Sequence, residues 1–172
     1  MIILKKRLNT TKKIESESSG ITGFLRGFKI LIEDIDKEKK INKIVFTGNK
    51  YTCTPFIELL SYVIRSMNKE IIYVPTIKLS ESYKVNISEV DCDFIKGGDP
   101  LDPDLVIIMG GLAMKGGPEI ASVEKFLEDI GNKDKKVIGV CFMSIFEKSG
   151  WCNIIPFDYM IDTTMDSSLY RR

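Results

Sequence analysis

Three stretches of this chain are apolar at nearly every position: Ile44-Val45-Phe46, Leu105-Val106-Ile107-Ile108-Met109 and Val137-Ile138-Gly139-Val140-Cys141-Phe142. A strand with one face in water alternates apolar and polar residues, so unbroken runs imply strands buried on both faces. Covering both faces requires helices on each side. Turn residues and then helical spacing follow the runs, as a mostly parallel sheet with crossover connections demands.

The intervening segments fit that plan. Phe24, Leu25, Phe28, Leu31, Ile32 and Ile35 recur on one helical face, with Lys37 to Lys40 crowding the end. Thr54-Pro55 predicts an N-cap and first helical residue, opening a helix from Phe56 to about Met67 that is apolar around most of its circumference. Glu70 to Val74 reads as a strand stopped by Pro75. A helix started by Pro118 buries Ile120, Val123, Leu127 and Ile130 and closes at Gly131. Ser144 to Lys148 reads as a short helix ended by Gly150, and Phe157 to Ile161 as a last strand. Thr76 to Pro103 is weaker: Tyr83, Val85 and Ile87 alternate as an edge strand, and the rest is expected to be an excursion over one end of the sheet, in the position of a lid. The expected fold is a three-layer α/β/α sandwich of Rossmann-like or flavodoxin-like type. Residues 1–18 are expected to be a loosely held arm, 19–162 a single domain and 163–172 a polar tail.

Composition excludes several chemistries. The 172 residues contain no histidine, so Ser-His-Asp or Cys-His catalysis and His-ligated metal sites cannot come from this chain, and no metal is expected. A net charge of +1 gives no global attraction to nucleic acid. The Lys37, Lys39, Lys40 and Lys43 cluster is balanced by Glu33, Asp34, Asp36 and Glu38 and reads as a helix end in water. No window approaches the ~18 consecutive apolar residues of a membrane helix. Cys53, Cys92, Cys141 and Cys152 are too widely spaced for a redox or zinc pair and are expected to be reduced, in a cytoplasmic protein. An isoleucine- and lysine-rich, glutamine-free composition is compatible with a thermophile.

In such sheets ligands bind beyond the carboxyl ends of the strands. Three loops meet that address. Thr47, Gly48, Asn49, Thr52 and Thr54 follow the first strand, where small hydroxyl residues and a helix N-terminus suit an anion; an N-cap with a turn explains them equally well. Gly110, Gly111, Met114 and Lys115 lie in a loop with four glycines in eight residues, where a backbone can approach a bound group and Lys115 can neutralise it. The pattern matches neither nucleotide-binding glycine signature, and a strand-to-helix connection requiring positive φ is the competing account. Cys141 and Ser144 occupy a strand-to-helix turn, where a helix dipole favours thiolate over thiol. Burial in the core is the more ordinary fate of Cys141, and the same choice applies to Cys53. Asp158, Asp162 and Asp166 are expected to form a solvated rim.

Two resemblances add to this reading. The segment Asp104 to Cys141, ending in G-V-C-F, resembles the nucleophile half of class I glutamine amidotransferases and the DJ-1/PfpI group. That likeness implies a nucleophilic role for Cys141, although Met143 replaces the small residue expected there and histidine is missing. From about Ser19 to Asp162 the chain resembles an uncharacterised family of methanogenic archaea, a domain of unknown function. The residues that carry it are G-I-T-G-F-L-R-G-F at 20 to 28, C-T-P-F-I-E-L-L at 53 to 60, M-G-G-L-A-M at 109 to 114 and I-G-V-C-F-M-S-I-F-E-K-S-G-W at 138 to 151. This second likeness implies a Rossmann-like fold and no particular reaction or cofactor.

Three functions compete. The leading expectation is a module that binds a small anionic or nucleotide-like ligand at the three loops. The second is a thiol enzyme using Cys141 or Cys53, with a carboxylate in place of histidine. The third is an assembly role, with a homo-oligomer formed through the apolar 56–67 helix.

Overall fold

The computed structural model describes residues 20–171, so the expected arm lies outside the described residues. In chain order the elements are α1 (Gly20–Glu38), β1 (Lys43–Gly48), α2 (Thr54–Val63), β2 (Glu70–Pro75), β3 (Tyr83–Ile87), β4 (Cys92–Lys96), β5 (Leu105–Met109), α3 (Ile120–Asp129), β6 (Lys136–Phe142), α4 (Ile145–Lys148) and β7 (Tyr159–Thr163). They build one seven-stranded sheet in the order β4-β3-β2-β1-β5-β6-β7. The five strands β2-β1-β5-β6-β7 are parallel, in the flavodoxin-like arrangement; β3 adds antiparallel to the β2 edge, and β4 antiparallel to β3.

The continuous apolar runs serve two cores. Ile44, Phe46, Leu105, Ile107, Ile138 and Val140 turn toward Phe28, Ile32 and Leu60 of α1 and α2. Their alternates Val45, Val106, Ile108, Val137 and Cys141 turn toward Val123, Leu127 and Phe146 of α3 and α4. Each large apolar side chain fully buried in this way contributes roughly 1.5–3 kcal/mol, and the one buried polar side chain of β1, Thr47, has its hydroxyl hydrogen-bonded.

Residues 76–103 differ from expectation. Instead of lying over the sheet as a lid, they continue it as the β3–β4 hairpin, with Val85 opposite Phe94 and Ile87 opposite Cys92. Val85 is buried and Tyr83, Ile87, Cys92 and Phe94 pack beside it on the α2 side, whereas Lys84, Asn86, Asp93 and Ile95 of the other face are exposed. A one-sided apolar stripe is what an antiparallel extension beyond the helix layer requires.

The apolar α2 also departs from its expected form. Cys53, not Thr54, is the N-cap, with no side-chain cap; the regular helix stops at Val63, and a 3-10 turn at Arg65–Met67 follows. Most of its circumference is used within the chain, since it faces the sheet on one side and packs against α1, its neighbour in the same layer, on another. Leu59 and Tyr62 remain 39% and 42% exposed, and the Arg65 guanidinium lies 3.8 Å over the Tyr62 ring. Little of the apolar surface that motivated an assembly role is left uncovered.

Candidate functional site

Parallel pairing places the three loops side by side on one rim, because β1, β5 and β6 are neighbours whose carboxyl ends point the same way. The loops touch. Asn49 donates from Nδ2 to the Gly111 carbonyl, a Cβ at Gly111 would stand 2.5 Å from Cys53 Sγ, and one at Gly110 would stand 2.7 Å from Cys141 Cβ. The crevice expected between β1 and β5 is therefore filled by the chain's own atoms. Neither Gly110 nor Gly111 has positive φ; close approach of two cysteines, not of a ligand, is what requires them.

The individual residues follow from that packing. Thr47 is fully buried, and its hydroxyl accepts the Ile77 amide at 3.2 Å, so it faces the segment after β2 and not a ligand. The Gly48 carbonyl accepts the Tyr73 phenol at 3.1 Å and the Thr76 amide at 2.9 Å. Thr52 is exposed, as are Met114 and Lys115 on the outer side of the glycine loop. Cys53 and Cys141 are 3% and 1% exposed, and burial pushes both thiols up, Cys141 to about 12. Both cysteines thus follow the more ordinary of the two readings, burial in the core, and a dipole-stabilised thiolate is not what these surroundings favour: desolvation opposes the charged form, and the nearest ionisable neighbour of Cys141 is a carboxylate.

That carboxylate, Asp162, is the residue that sequence reasoning missed. Its Oδ1 accepts the Ser144 amide at 2.9 Å and the Cys141 thiol at 3.5 Å, and its Oδ2 accepts the Ser144 hydroxyl at 2.7 Å. The parallel register places Asp162 opposite Cys141, whereas Asp158, at the other end of β7, accepts the Val137 amide at 2.8 Å. The acidic rim is thus two separate structural devices. Only strand register, which four-residue spacing does not reveal, could have distinguished them. Among the described residues no three His, Cys, Asp or Glu side chains gather as a metal site.

Open space lies one strand further along. A cleft of about 470 Å³ is lined by Lys50, Tyr51, Thr54, Pro55, Tyr73, Pro75, Tyr83 and Phe94. It exists because the helix layer ends at α2 while the sheet continues into β3 and β4, leaving the apolar face of the hairpin partly uncovered. Tyr73 is the floor's fixed point: its ring centroid is 5.6 Å from that of Phe94 and 6.4 Å from that of Tyr83. Burial pushes its phenol up to about 12, against a hydrogen bond with Thr54 that acts in the opposite direction. Lys50 Nζ lies 2.8 Å from a Glu81 oxygen, and that hydrogen bond raises its pKa. Of the residues singled out in the loops, Thr54 alone lines this cleft. Alternation of Tyr83 with Val85 was legible as a signal, but Phe94 carried none without its pairing partner.

Residues 19–166 match a protein family described as uncharacterized protein conserved in archaea (DUF2124). The chain belongs to this archaeal family. Relatives include an uncharacterized protein of Methanocaldococcus jannaschii, 36% identical over 161 residues that cover 93% of this chain and 95% of the relative. Another, from Methanothermobacter thermautotrophicus, is 30% identical over 156 residues, covering 90% of this chain and 96% of the relative. A crystal structure of a protein of unknown function from Methanothermobacter thermautotrophicus has the same fold, with a TM-score of 0.80 at 29% identity, covering 94% of this chain and 98% of that one. In this member, the four stretches that carried the family resemblance interlock beneath the carboxyl-end rim. Phe24, Phe56 and Phe142 join three of them, with ring centroids 4.6 to 6.3 Å apart, and the glycine-cysteine contacts bring in the fourth. In this chain all four motifs contribute to packing beneath the rim.

Proposed function

We propose that this protein binds a small ligand with apolar and anionic parts in the cleft beside the N-terminus of α2. The observation that carries the reading is a mainly apolar cavity of about 470 Å³, with four aromatic residues in its lining, at the carboxyl ends of β1 and β2, the end at which open α/β sheets bind ligands. Aromatic walls with one cation, Lys50, suit a nucleotide-like molecule better than a bare anion, since Glu81 already satisfies Lys50. The four cysteines are free thiols, which supports a reducing, cytoplasmic setting.

The test is thermal unfolding with a panel of inorganic phosphate, nucleotides and flavins. A ligand at about a hundred times its Kd stabilises by roughly 2.7 kcal/mol, which for a domain of this size raises Tm by about 5–10 °C. Such a rise with a ring-bearing member, lost in Tyr83→Leu, is the expected result. No rise with any member at saturating concentration overturns the reading.

A further inference from the structure

We propose, building on the cleft reading above, that Tyr51 and the Tyr73, Tyr83 and Phe94 floor are opposing jaws that select a planar ring carrying one anionic substituent, with Lys50 meeting the charge. Tyr51 has φ of 68°, a left-handed backbone that a bulky L-residue adopts only when its surroundings impose it. The residue is 90% exposed, yet it lines the cleft. The strained backbone works against folding and a ring left in water gives nothing back for it, which is explained if the ring is needed where it stands. The same cleft is lined by Tyr73, 4% exposed, and by Tyr83 and Phe94, both half-buried on strands that the β3–β4 hairpin holds in register with β2.

One fixed aromatic wall and one free aromatic ring accept a flat molecule between them and gain little from a puckered one of equal volume, because stacking requires close contact along a whole face. Lys50 precedes Tyr51 and lines the same cleft. Its pair with Glu81 is half exposed on the lysine side and 35% exposed on the glutamate side, so an incoming anion can replace one carboxylate by another group at small cost. Glu81 is then a built-in competitor whose removal tightens binding.

The experiment is calorimetric titration of the full chain with naphthalenesulfonate and with its saturated counterpart, decalinsulfonate. They share the anion and carbon skeleton and differ in planarity. The planar probe is expected to bind at least about tenfold more tightly; Tyr51→Ala costs about tenfold, as loss of one stacked ring does, and Tyr51→Phe restores it. Glu81→Gln tightens the planar probe severalfold, an effect that a merely structural Glu81 does not produce. Equal affinity for the two probes, or a Tyr51→Ala affinity equal to that of the unaltered protein, overturns the jaws while leaving the cleft. No binding of either probe, or binding indifferent to Tyr83→Leu, overturns the cleft reading together with the jaws. Tyr51 is exposed, so its variants test contact and not folding.

Discussion

The two rims of the sheet are built from opposite kinds of residue. Among the described residues, eight non-glycines have positive φ. Asn68, Asp102 and Asn132 precede β2, β5 and β6 at the amino-end rim, and their short polar side chains tolerate the left-handed region. Tyr51, Thr76, Ile77, Met143 and Ser144 follow β1, β2 and β6 at the carboxyl-end rim, and they include a ring, two β-branched residues and a methionine. Carboxylates serve the backbone at both rims, more often at the amino end, although Asp162 does the same for the Ser144 amide at the carboxyl end. At the amino end carboxylates take up the amides of strand starts: Asp36 accepts Ile41 N at 2.7 Å, Asp104 accepts Asn42 N at 2.7 Å, and Asp158 accepts Val137 N at 2.8 Å. At the carboxyl end buried thiols and a phenol are packed under bent loops. The amino-end rim meets its left-handed positions with short polar residues, whereas the carboxyl-end rim holds bulky ones there, at Tyr51, Ile77 and Met143, which is where a function is to be sought.

The comparison can be broken most forcefully at Asp36. Its Oδ1 pairs with Lys69 at 2.7 Å, and the lysine side chain is only 7% exposed. Asp36→Asn keeps the shape and leaves a buried ammonium without its counter-ion, so urea denaturation is expected to show a loss of about 3 kcal/mol. The Lys69 hydrogen bond holds the Asp36 carboxyl below its ordinary value, so its stabilisation is complete above the unfolded pKa of about 3.9 and fades as pH falls through the lower folded value. The acid limb of the stability profile should flatten in Asp36→Asn.

Next in size is Gly110→Ala. The new Cβ meets Cys141 Cβ at 2.7 Å, Ile145 at 2.8 Å and the Cys141 backbone at 3.0 Å, and overpacking of this kind costs about 1–3 kcal/mol. Gly27→Ala, with nothing within 4 Å in the middle of α1, should instead stabilise by about 0.5–1 kcal/mol. A Gly110→Ala protein as stable as its parent would show that the carboxyl-end loops are not tightly packed.

The rims should also differ in pH response. Cys141 and Tyr73 have pKa values raised to about 12 by burial. An acid whose folded pKa is raised holds its proton more tightly when folded, so stability is full below the unfolded values, about 8.5 for Cys and 10 for Tyr, and falls as pH climbs from there toward the folded values. Cys141→Ala should remove part of this alkaline loss and none of the acid loss. The smallest effect sharpens the contrast in backbone strain: Tyr51→Gly is expected to raise stability by about 1 kcal/mol, and Asn68→Gly to change it by a few tenths, in parallel thermal melts.

Much of the fold was legible because it is local. Unbroken runs at Ile44 and Leu105, the face of α1 and the Gly131 stop each follow from spacing that neighbours in sequence settle. The hairpin was half legible: Tyr83, Val85 and Ile87 alternate, but β4 is a five-residue strand whose Cys92, Phe94 and Lys96 take meaning only from the partners opposite them. The candidate site was the least legible part. Cys53 and Gly111, or Cys141 and Gly110, look like chemistry beside flexible loops when read along the chain, yet across space each glycine is the gap that its cysteine fills.

By itself, then, the sequence determined a doubly covered parallel sheet and ruled out imidazole chemistry, since hydrophobic periodicity and composition are properties of the chain alone. Tertiary structure alone decided that Cys53 and Cys141 are the sealed thiols while Cys92 and Cys152 stay partly open, that Asp162 reaches Ser144, and that the open cavity lies against the hairpin and not between the glycine loops. Strand order and register bring together residues that no spacing relates, and whether a group meets solvent depends on which other segment lies over it.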